Sequence, residues 1–142
     1  MQSYDGSTLL ALQRATHATL HAIADELPNA SIGGAEANVL ATLADGTPRT
    51  PSELAAQVGT RTTTMTSVLD RLEGRRLIRR RQHQADRRAI QVELTAAGRK
   101  AAATSRDAFR RVEAHALAGL PASTVTALRA ALDRVAEVRH AR

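Results

Sequence analysis

Residues 50–94 read TPSELAAQVGTRTTTMTSVLDRLEGRRLIRRRQHQADRRAIQVEL, and this stretch decides the fold. It opens on a capping box, in which the Thr50 hydroxyl accepts from a free amide of the first turn and the Glu53 carboxylate accepts from the Thr50 amide. Pro51 suits the first position of a helix, and Gly59 suits its end. The pattern predicts a helix of barely two turns, followed at once by another.

The next helix, over residues 61–74, has two different faces. Its apolar residues Met65, Val68, Leu69 and Leu72 fall at i, i+3, i+4 and i+7, so one stripe is buried. The remaining positions carry mostly short polar side chains. They are Thr62, Thr63, Thr64, Thr66, Ser67, Asp70 and Arg71.

The hydrophobic period then changes from that of a helix to that of a strand. Ile90, Val92 and Leu94 alternate with polar residues, which is typical of a half-buried strand. A first strand beginning at Leu77 and a tip over 82–87 complete a hairpin. The order of short helix, tight turn, polar-faced helix and basic hairpin predicts a winged helix-turn-helix.

This arrangement suits DNA binding, because a recognition helix must bury one stripe and offer small polar groups to base edges on the other. The hairpin adds arginines that can contact phosphates or enter a minor groove. They are Arg79, Arg80, Arg81, Arg87 and Arg88. The same pattern also fits a helix-turn-helix used only for packing and a charged hairpin that faces solvent.

The charge distribution favours a nucleic-acid partner. The net charge of +6 divides into −4 over residues 1–60, +7 over 61–100 and +3 over 101–142. The basic excess is therefore concentrated in the predicted helix and hairpin. The sequence has no Cys, no nucleophile elbow and no Gly-rich phosphate loop, so we expect neither an enzyme nor a cofactor. With neither a signal peptide nor a long apolar run, we expect a cytoplasmic protein with no membrane partner.

Helices also flank the winged segment. One is predicted from Ser7 to Leu27, a second from Ala96 to Leu120, and a last one opened by Pro121. The apolar stripe of the last helix comprises Val125, Leu128, Leu132, Val135 and Val138. The fold class is mainly α with a small β-hairpin wing. With only two aromatic residues in 142, the core is thin, and a second subunit is expected to complete it.

Several short motifs in the central part of the chain carry a family resemblance. They are Ser52-Glu53-Leu54-Ala55, Gly59, Asp70-Arg71-Leu72-Glu73, Leu77-Ile78, Arg80-Arg81, Asp86-Arg87-Arg88-Ala89, Val92 and Leu94-Thr95-Ala96-Ala97-Gly98. This run resembles the MarR family of bacterial transcription regulators. The length and the flanking helices fit the same family more loosely.

The resemblance implies a homodimer with interleaved terminal helices that binds double-stranded DNA at a palindromic operator. The commoner family mode is repression relieved by a small organic anion, held between the dimer helices and the DNA-binding lobe. Residues 1–142 would then form a single MarR-type domain. Its DNA-binding lobe would span 34–95, and its dimerisation helices 1–33 and 96–142.

The resemblance also assigns roles to single residues. Arg88 matches the wing-tip arginine that enters the minor groove, Arg87 is expected on a phosphate, and Asp86 shapes the tip. Asp70 is expected to orient a nearby arginine. The other expected DNA contacts are Thr62, Thr63, Thr64, Thr66, Ser67, Arg71 and Arg80.

The sequence departs from the family pattern in three places, one of them a pair of residues. Arg76 stands where the family usually has Gly, and Gly33 stands where a capping Thr is frequent. In the wing, His83 and Gln84 replace a usual aspartate-proline pair, which gives the tip a titratable group.

His17 and His21 raise the question of a ligand. Their i, i+4 spacing is that of a two-histidine metal site, but no well-placed third ligand supports one, and we expect no metal. With Arg14 they are candidates to line the organic-anion pocket; otherwise they face solvent or the dimer interface. The alternatives for the whole protein are a non-sensing or sequence-tolerant DNA-binding protein, and an adaptor that kept the fold.

Overall fold

The computed structural model describes residues 6–28 and 31–140, and within these ranges it confirms the predicted fold class. Four helices come first, a two-stranded hairpin follows, and two further helices close the chain, in the expected order. The elements are α1 Thr8–Glu26, α2 Gly34–Leu43, α3 Pro51–Val58, α4 Thr62–Gly74, β1 Ile78–Gln82, β2 Ile90–Leu94, α5 Ala96–Ala116 and α6 Ala122–Ala136, followed by a short 3-10 helix Glu137–His140. The ends of the predicted dimerisation segments, 1–5 and 141–142, and residues 29–30 lie outside the described residues.

The capping box at the start of α3 forms as predicted. The Glu53 amide donates to the Thr50 hydroxyl at 3.1 Å, and the Thr50 amide donates to the Glu53 carboxylate at 2.9 Å. Gly59 ends the helix in a left-handed conformation with φ of 78°. The turn into α4 is therefore fixed at both ends by local chemistry.

The strands β1 and β2 pair antiparallel, with Ile78 opposite Leu94 and Gln82 opposite Ile90. The loop before α3 adds a third, very short partner, because Arg49 and Val92 exchange backbone hydrogen bonds of 3.1 and 2.7 Å. This tie was not predicted. The expected burial of Ile90 is wrong: Val92 is fully buried, but Ile90 is 46% exposed because it adjoins the wing tip, away from the helices.

The junction between the hairpin and α5 explains the Leu-Thr-x-x-Gly motif. The Thr95 hydroxyl donates to the Arg76 carbonyl at 2.7 Å and accepts from the Gly98 amide at 3.0 Å, so it caps the helix. A Cβ at Gly98 would lie 1.8 Å from the Leu77 carbonyl oxygen, so no other residue fits there. Arg76 takes the left-handed conformation, with φ of 60°, at a cost of about 1–2 kcal/mol.

The predicted end of α5 is wrong by one turn. The helix stops at Ala116, and Gly119 then takes a left-handed conformation with φ of 79°. Leu120, expected as the last residue of this helix, lies beyond it and is exposed. Glycine at this point reverses the chain without a steric penalty, which is why the helix does not continue to Pro121.

The chain divides into two compact units, one ending at Val112 and one beginning at Glu113. The first contains the hydrophobic core, in which Leu40, Leu54, Leu69 and Val92 are completely buried. In the second unit, α6 has no buried residue. Among the described residues, no helix combines the length and the apolar character that crossing a membrane requires.

Candidate nucleic-acid interface

The outer face of α4 presents the predicted hydroxyl groups to solvent. Its buried stripe is the predicted one, comprising Met65, Val68, Leu69 and Leu72. The exposed hydroxyl residues are Thr62, Thr63, Thr64, Thr66 and Ser67. The Thr66 hydroxyl donates to the Thr62 carbonyl at 3.0 Å, and its oxygen lone pairs remain able to accept. No side chain caps the start of α4, so its first-turn amides add further donors at the same end.

Arg71 lies at the C-terminal end of this face, and a carboxylate on α2 holds its side chain in place. Its Nε donates to the carboxylate of Glu36 at 2.7 Å, and Glu36 is buried on α2 although it carries a charge. The Arg71 side chain is 53% exposed, so its terminal nitrogens reach solvent. Glu36 was not predicted to act here, because a pairing over 35 positions leaves no signal in a single sequence.

Arg80 links the wing to the recognition helix. Its two terminal nitrogens lie 2.8 Å from Asp70 and 3.0 Å from Glu73. The expectation that Asp70 orients an arginine therefore matches the geometry, and Glu73 is an unforeseen second partner. Arg80 is only 26% exposed, and both acids lie on α4, so this pair of contacts sets where β1 sits against the recognition helix.

The wing tip is ordered by hydrogen bonds between its own residues. The Asp86 carboxylate accepts from the Arg88 amide at 3.0 Å, and the Asp86 carbonyl accepts from the Ala89 amide at 3.0 Å. On the other side of the tip, the Nδ1 of His83 accepts from the amides of Ala85 at 3.0 Å and Asp86 at 3.2 Å. The predicted role of Asp86 in shaping the tip fits these contacts, whereas that of His83 was not foreseen.

The arginines of the wing fall into two groups. In the first group, Arg79 and Arg81 both form ion pairs with Glu93 on β2, and the distance from Arg81 is 3.3 Å. Arg80 belongs to the same group, because it pairs with Asp70 and Glu73. Arg87 and Arg88 are exposed, and neither makes an ion pair within the described residues. Charge free of an internal partner is therefore concentrated at the tip.

His17 and His21 lie on the exposed side of α1. No group of three or more His, Cys, Asp or Glu residues able to hold a metal ion occurs within residues 6–28 and 31–140. Neither histidine borders the cleft beside α5 that four arginines line.

An arginine-lined cleft of about 380 Å³ lies where the loop after α2 and the base of the wing face α5. Its basic residues are Arg79, Arg99, Arg106 and Arg110, and its acidic residues are Glu93 and Asp107. Arg110 pairs with Asp107 at 3.1 Å, whereas Arg99 and Arg106 have no ion pair among the described residues. The cleft therefore carries an excess of positive charge, which suits an anion.

The comparisons with known proteins agree with this geometry. The MarR family model matches residues 35–90. A probable transcriptional regulator from Pseudomonas aeruginosa is 26% identical over 92% of this chain and 98% of its own, with a TM-score of 0.78. The transcriptional repressor CouR, bound to a 23-mer DNA duplex, is 26% identical over 96% of this chain and 99% of its own, with a TM-score of 0.76.

The chain matches the MarR family over its winged segment, residues 35–90. It is a winged-helix DNA-binding transcriptional regulator, as the motifs of the central stretch indicated. CouR from Rhodococcus jostii RHA1 with bound p-coumaroyl-CoA shares the fold at 22% identity, with a TM-score of 0.83 and 96% of each chain covered. No curated protein sequence matches the chain. Members of the MarR family are generally regulators rather than enzymes.

Proposed function

We propose that this MarR-family protein is a ligand-responsive repressor that binds a palindromic operator as a homodimer. The observation that carries the proposal is the pairing of an exposed hydroxyl face on α4 with an ordered wing tip whose two arginines make no ion pair within residues 6–28 and 31–140. The first can read base edges in a major groove, and the second can enter an adjacent minor groove. In this role the protein acts in the cytoplasm, where the DNA lies, and has no catalytic step.

The proposed homodimer rests on apolar side chains that the single chain leaves uncovered. Large exposed ones are found at the start of α1 and along the last helix, and a second copy would bury both sets. They are Leu9, Leu10, Leu120, Leu128, Leu132 and Val138. The DNA-binding lobe then spans 34–95, and segments 1–33 and 96–142 form the dimer. Two-fold symmetry of the protein calls for a palindromic operator.

The side chains divide between base and phosphate contacts. Thr62, Thr63, Thr64, Thr66 and Ser67 are placed to read bases, and Arg88 to enter the minor groove. Arg87 contacts phosphate, as do the outer nitrogens of Arg71 that Glu36 leaves free. Arg80 is the weakest candidate for a phosphate contact, because both its terminal nitrogens already bond acids.

The substitution Arg88→Ala tests the wing. We expect it to weaken operator binding by about 1–3 kcal/mol, as the loss of one groove contact does, with the fold intact by circular dichroism. Binding is measured by fluorescence anisotropy on DNA that the protein retains from sheared genomic fragments. Arg134→Ala, an exposed arginine on α6, is the matched control and should leave affinity unchanged. Unaltered binding by the folded Arg88→Ala protein would refute the wing assignment.

The same assay separates the alternatives. A sequence reader should prefer the retained fragment over random duplex by at least about 10³-fold, with affinity falling steeply as salt rises. Equal binding to both DNAs would indicate a sequence-tolerant DNA-binding protein. Binding to neither would indicate an adaptor, although the concentration of basic residues in the wing gives such a protein no benefit.

We propose a small organic anion as the effector. Three proteins that share this fold are associated with small molecules that are acids or carry phosphates. NadR was solved with 4-hydroxyphenylacetate, the DNA binding of BpsR is regulated by 6-hydroxynicotinic acid, and CouR was solved with p-coumaroyl-CoA. Here the arginine-lined cleft supports such a site better than His17 and His21, which lie exposed on α1. These two histidines remain candidates only where a second subunit covers them.

The effector site is tested by asking whether 4-hydroxyphenylacetate, as a probe anion, releases the protein from its DNA. Arg106→Ala should abolish the release and leave DNA affinity without the anion within about twofold, because Arg106 lies on α5 rather than on the wing. The parallel variant His17→Ala should still be released. Loss of release in His17→Ala alone would transfer the site to α1.

A further inference from the structure

The wing tip contains a hydrogen-bond arrangement that depends on the protonation state of one side chain. The Nδ1 atom of His83 accepts from two backbone amides, those of Ala85 and Asp86, at 3.0 and 3.2 Å. An imidazole nitrogen accepts hydrogen bonds only while it carries no proton, so the ring must be neutral with its hydrogen on Nε2. His83 is half-buried, and both hydrogen bonds lie in an exposed part of the tip.

These contacts have the geometry that Asp and Asn side chains give to tight turns. In such turns a side-chain acceptor at one position bonds the amides two and three residues further on and so defines the turn. His83 does this across the tip, and its own amide donates to the Ala89 carbonyl at 2.8 Å, which closes the hairpin behind it. The imidazole is therefore a structural part of the tip.

We propose that neutral His83 is a positioning residue for the DNA-reading wing, and that its protonation releases the tip. This inference rests on the proposed role of the wing in DNA binding. His83 does not itself touch DNA in this proposal. It acts through Asp86, whose amide it accepts and whose carboxylate in turn accepts the Arg88 amide.

Protonation turns the acceptor into a donor that faces two other donors. The Nδ1–H and the amides of Ala85 and Asp86 would then point at one another, so the ring must rotate away and both bonds are lost. Asp86 would no longer be held, and the Arg88 backbone would lose its fixed direction. A mobile tip must be ordered again on binding, which lowers affinity.

The acidic groups around His83 already accept hydrogen bonds from other residues. Arg81 on β1 and Glu93 on β2 border the same cavity as His83, and they already pair with each other at 3.3 Å. The tip itself contributes Asp86, Arg87 and Arg88, and the Asp86 carboxylate already accepts the Arg88 amide. The loop before α3 contributes only Pro48 to this cavity, which carries no charge.

Protonation also adds a positive charge near the DNA, and this effect alone would strengthen binding. Two substitutions separate geometry from charge. His83→Asn keeps a neutral acceptor that can bond the same amides at any pH, and His83→Leu removes the acceptor without changing the charge of the neutral ring. Gln84→Ala is the control for altering the exposed tip, since Gln84 makes no hydrogen bond within the described residues.

Affinity for the retained genomic fragment and for a random-sequence duplex is measured at about pH 8 and about pH 5.5. At the higher pH we expect His83→Leu to bind about five- to tenfold more weakly than wild type, and His83→Asn and Gln84→Ala within about twofold. On acidification, wild type should lose at least about threefold more affinity than His83→Asn.

Two binding results would overturn the proposal. One is His83→Leu binding as tightly as wild type at the higher pH, and the other is an equal acid loss in wild type and His83→Asn. Should the wild type bind neither DNA, the proposed function fails. The conformation of the tip is then tested by NMR. The ¹⁵N shifts of the His83 ring must show Nδ1 unprotonated at the higher pH, and the amide signals of Ala85 and Asp86 must shift on acidification. A protonated Nδ1 at the higher pH would overturn the proposal in either case.

Discussion

The two units of this chain use similar apolar residues with opposite results. In the unit that ends at Val112, leucines such as Leu40 and Leu69 are completely buried. In the unit that begins at Glu113, Leu128 and Leu132 of α6 are 41% and 42% exposed, and the helix has no buried residue. An amphipathic helix is stabilised by packing its apolar face, and in α6 no residue is buried.

One unit therefore buries a core of its own, whereas the last helix of the other leaves its leucines exposed. The recognition helix and the wing lie in the first unit, where hydrogen bonds between neighbouring residues fix their turns. In the proposed homodimer, a second copy covers the apolar stripe of the last helix. Substitutions in the two units should therefore fail in different ways, one by unfolding and the other by changing the oligomeric state.

The largest effect is expected from Leu132→Asp. A charge placed twice in a two-fold apolar interface, without a partner, costs about 3–5 kcal/mol or more per copy, so the variant should sediment as a monomer at concentrations where wild type is a dimer. Ala130→Asp adds the same charge on the opposite side of α6 and should remain a dimer. If Leu132→Asp loses helix by circular dichroism, the milder Leu128→Ala should still weaken dimerisation. A stable Leu132→Asp dimer would show that α6 is not the interface.

The next largest effect is expected inside the first unit, which ends at Val112. Leu69→Ala removes a fully buried side chain from the inner face of the recognition helix. It should lower the free energy of unfolding by about 2–5 kcal/mol in urea titrations. Ile90→Ala, on a wing position that is 46% exposed, should change it by no more than about 0.5 kcal/mol. Equal losses in the two variants would mean that the core extends under the wing tip.

The sequence predicted the elements in this molecule that depend on local patterns. The capping box of Thr50 and Glu53, the buried stripe from Met65 to Leu72 and the alternation in β2 each need only a few neighbouring residues. The structure confirms the first two, and the third at Val92 and Leu94 but not at Ile90. The end of α5 was misplaced, because Gly119 was overlooked as a helix terminator and Pro121 was preferred.

Contacts between distant residues could not be predicted in this way. The pairing of Glu36 with Arg71 and the bridge from Arg49 to Val92 join positions that only the folded chain brings together. Exposure of Ile90 is of the same kind, since the alternating pattern does not say how far the helices extend beneath a strand. The hydrogen bonds of His83 are local, but the acceptor role of an imidazole has no distinct sequence pattern.

The smallest effect concerns charge and contrasts the two units once more. In the first, the Arg49 guanidinium bonds both oxygens of Asp45, and with the Thr47 amide it holds the pKa of that carboxyl well below its usual range. In the second, Arg129 lies 3.7 Å from Glu113, and both side chains are exposed. A lowered pKa in the folded state means stability that is present above about pH 4, where the unfolded carboxyl is ionised, and is lost as the pH falls towards the folded value.

Asp45→Asn should therefore lower the thermal midpoint at about pH 7, and the difference from wild type should narrow at about pH 2. Its effect stays modest because an Asn oxygen still accepts from Arg49 and from the Thr47 amide. Glu113→Gln is the counterpart in the second unit, and we expect no measurable change, since exposed pairs contribute little. A larger shift in Glu113→Gln than in Asp45→Asn would reverse the contrast, because it would mean that charge rather than a second copy holds the closing helices.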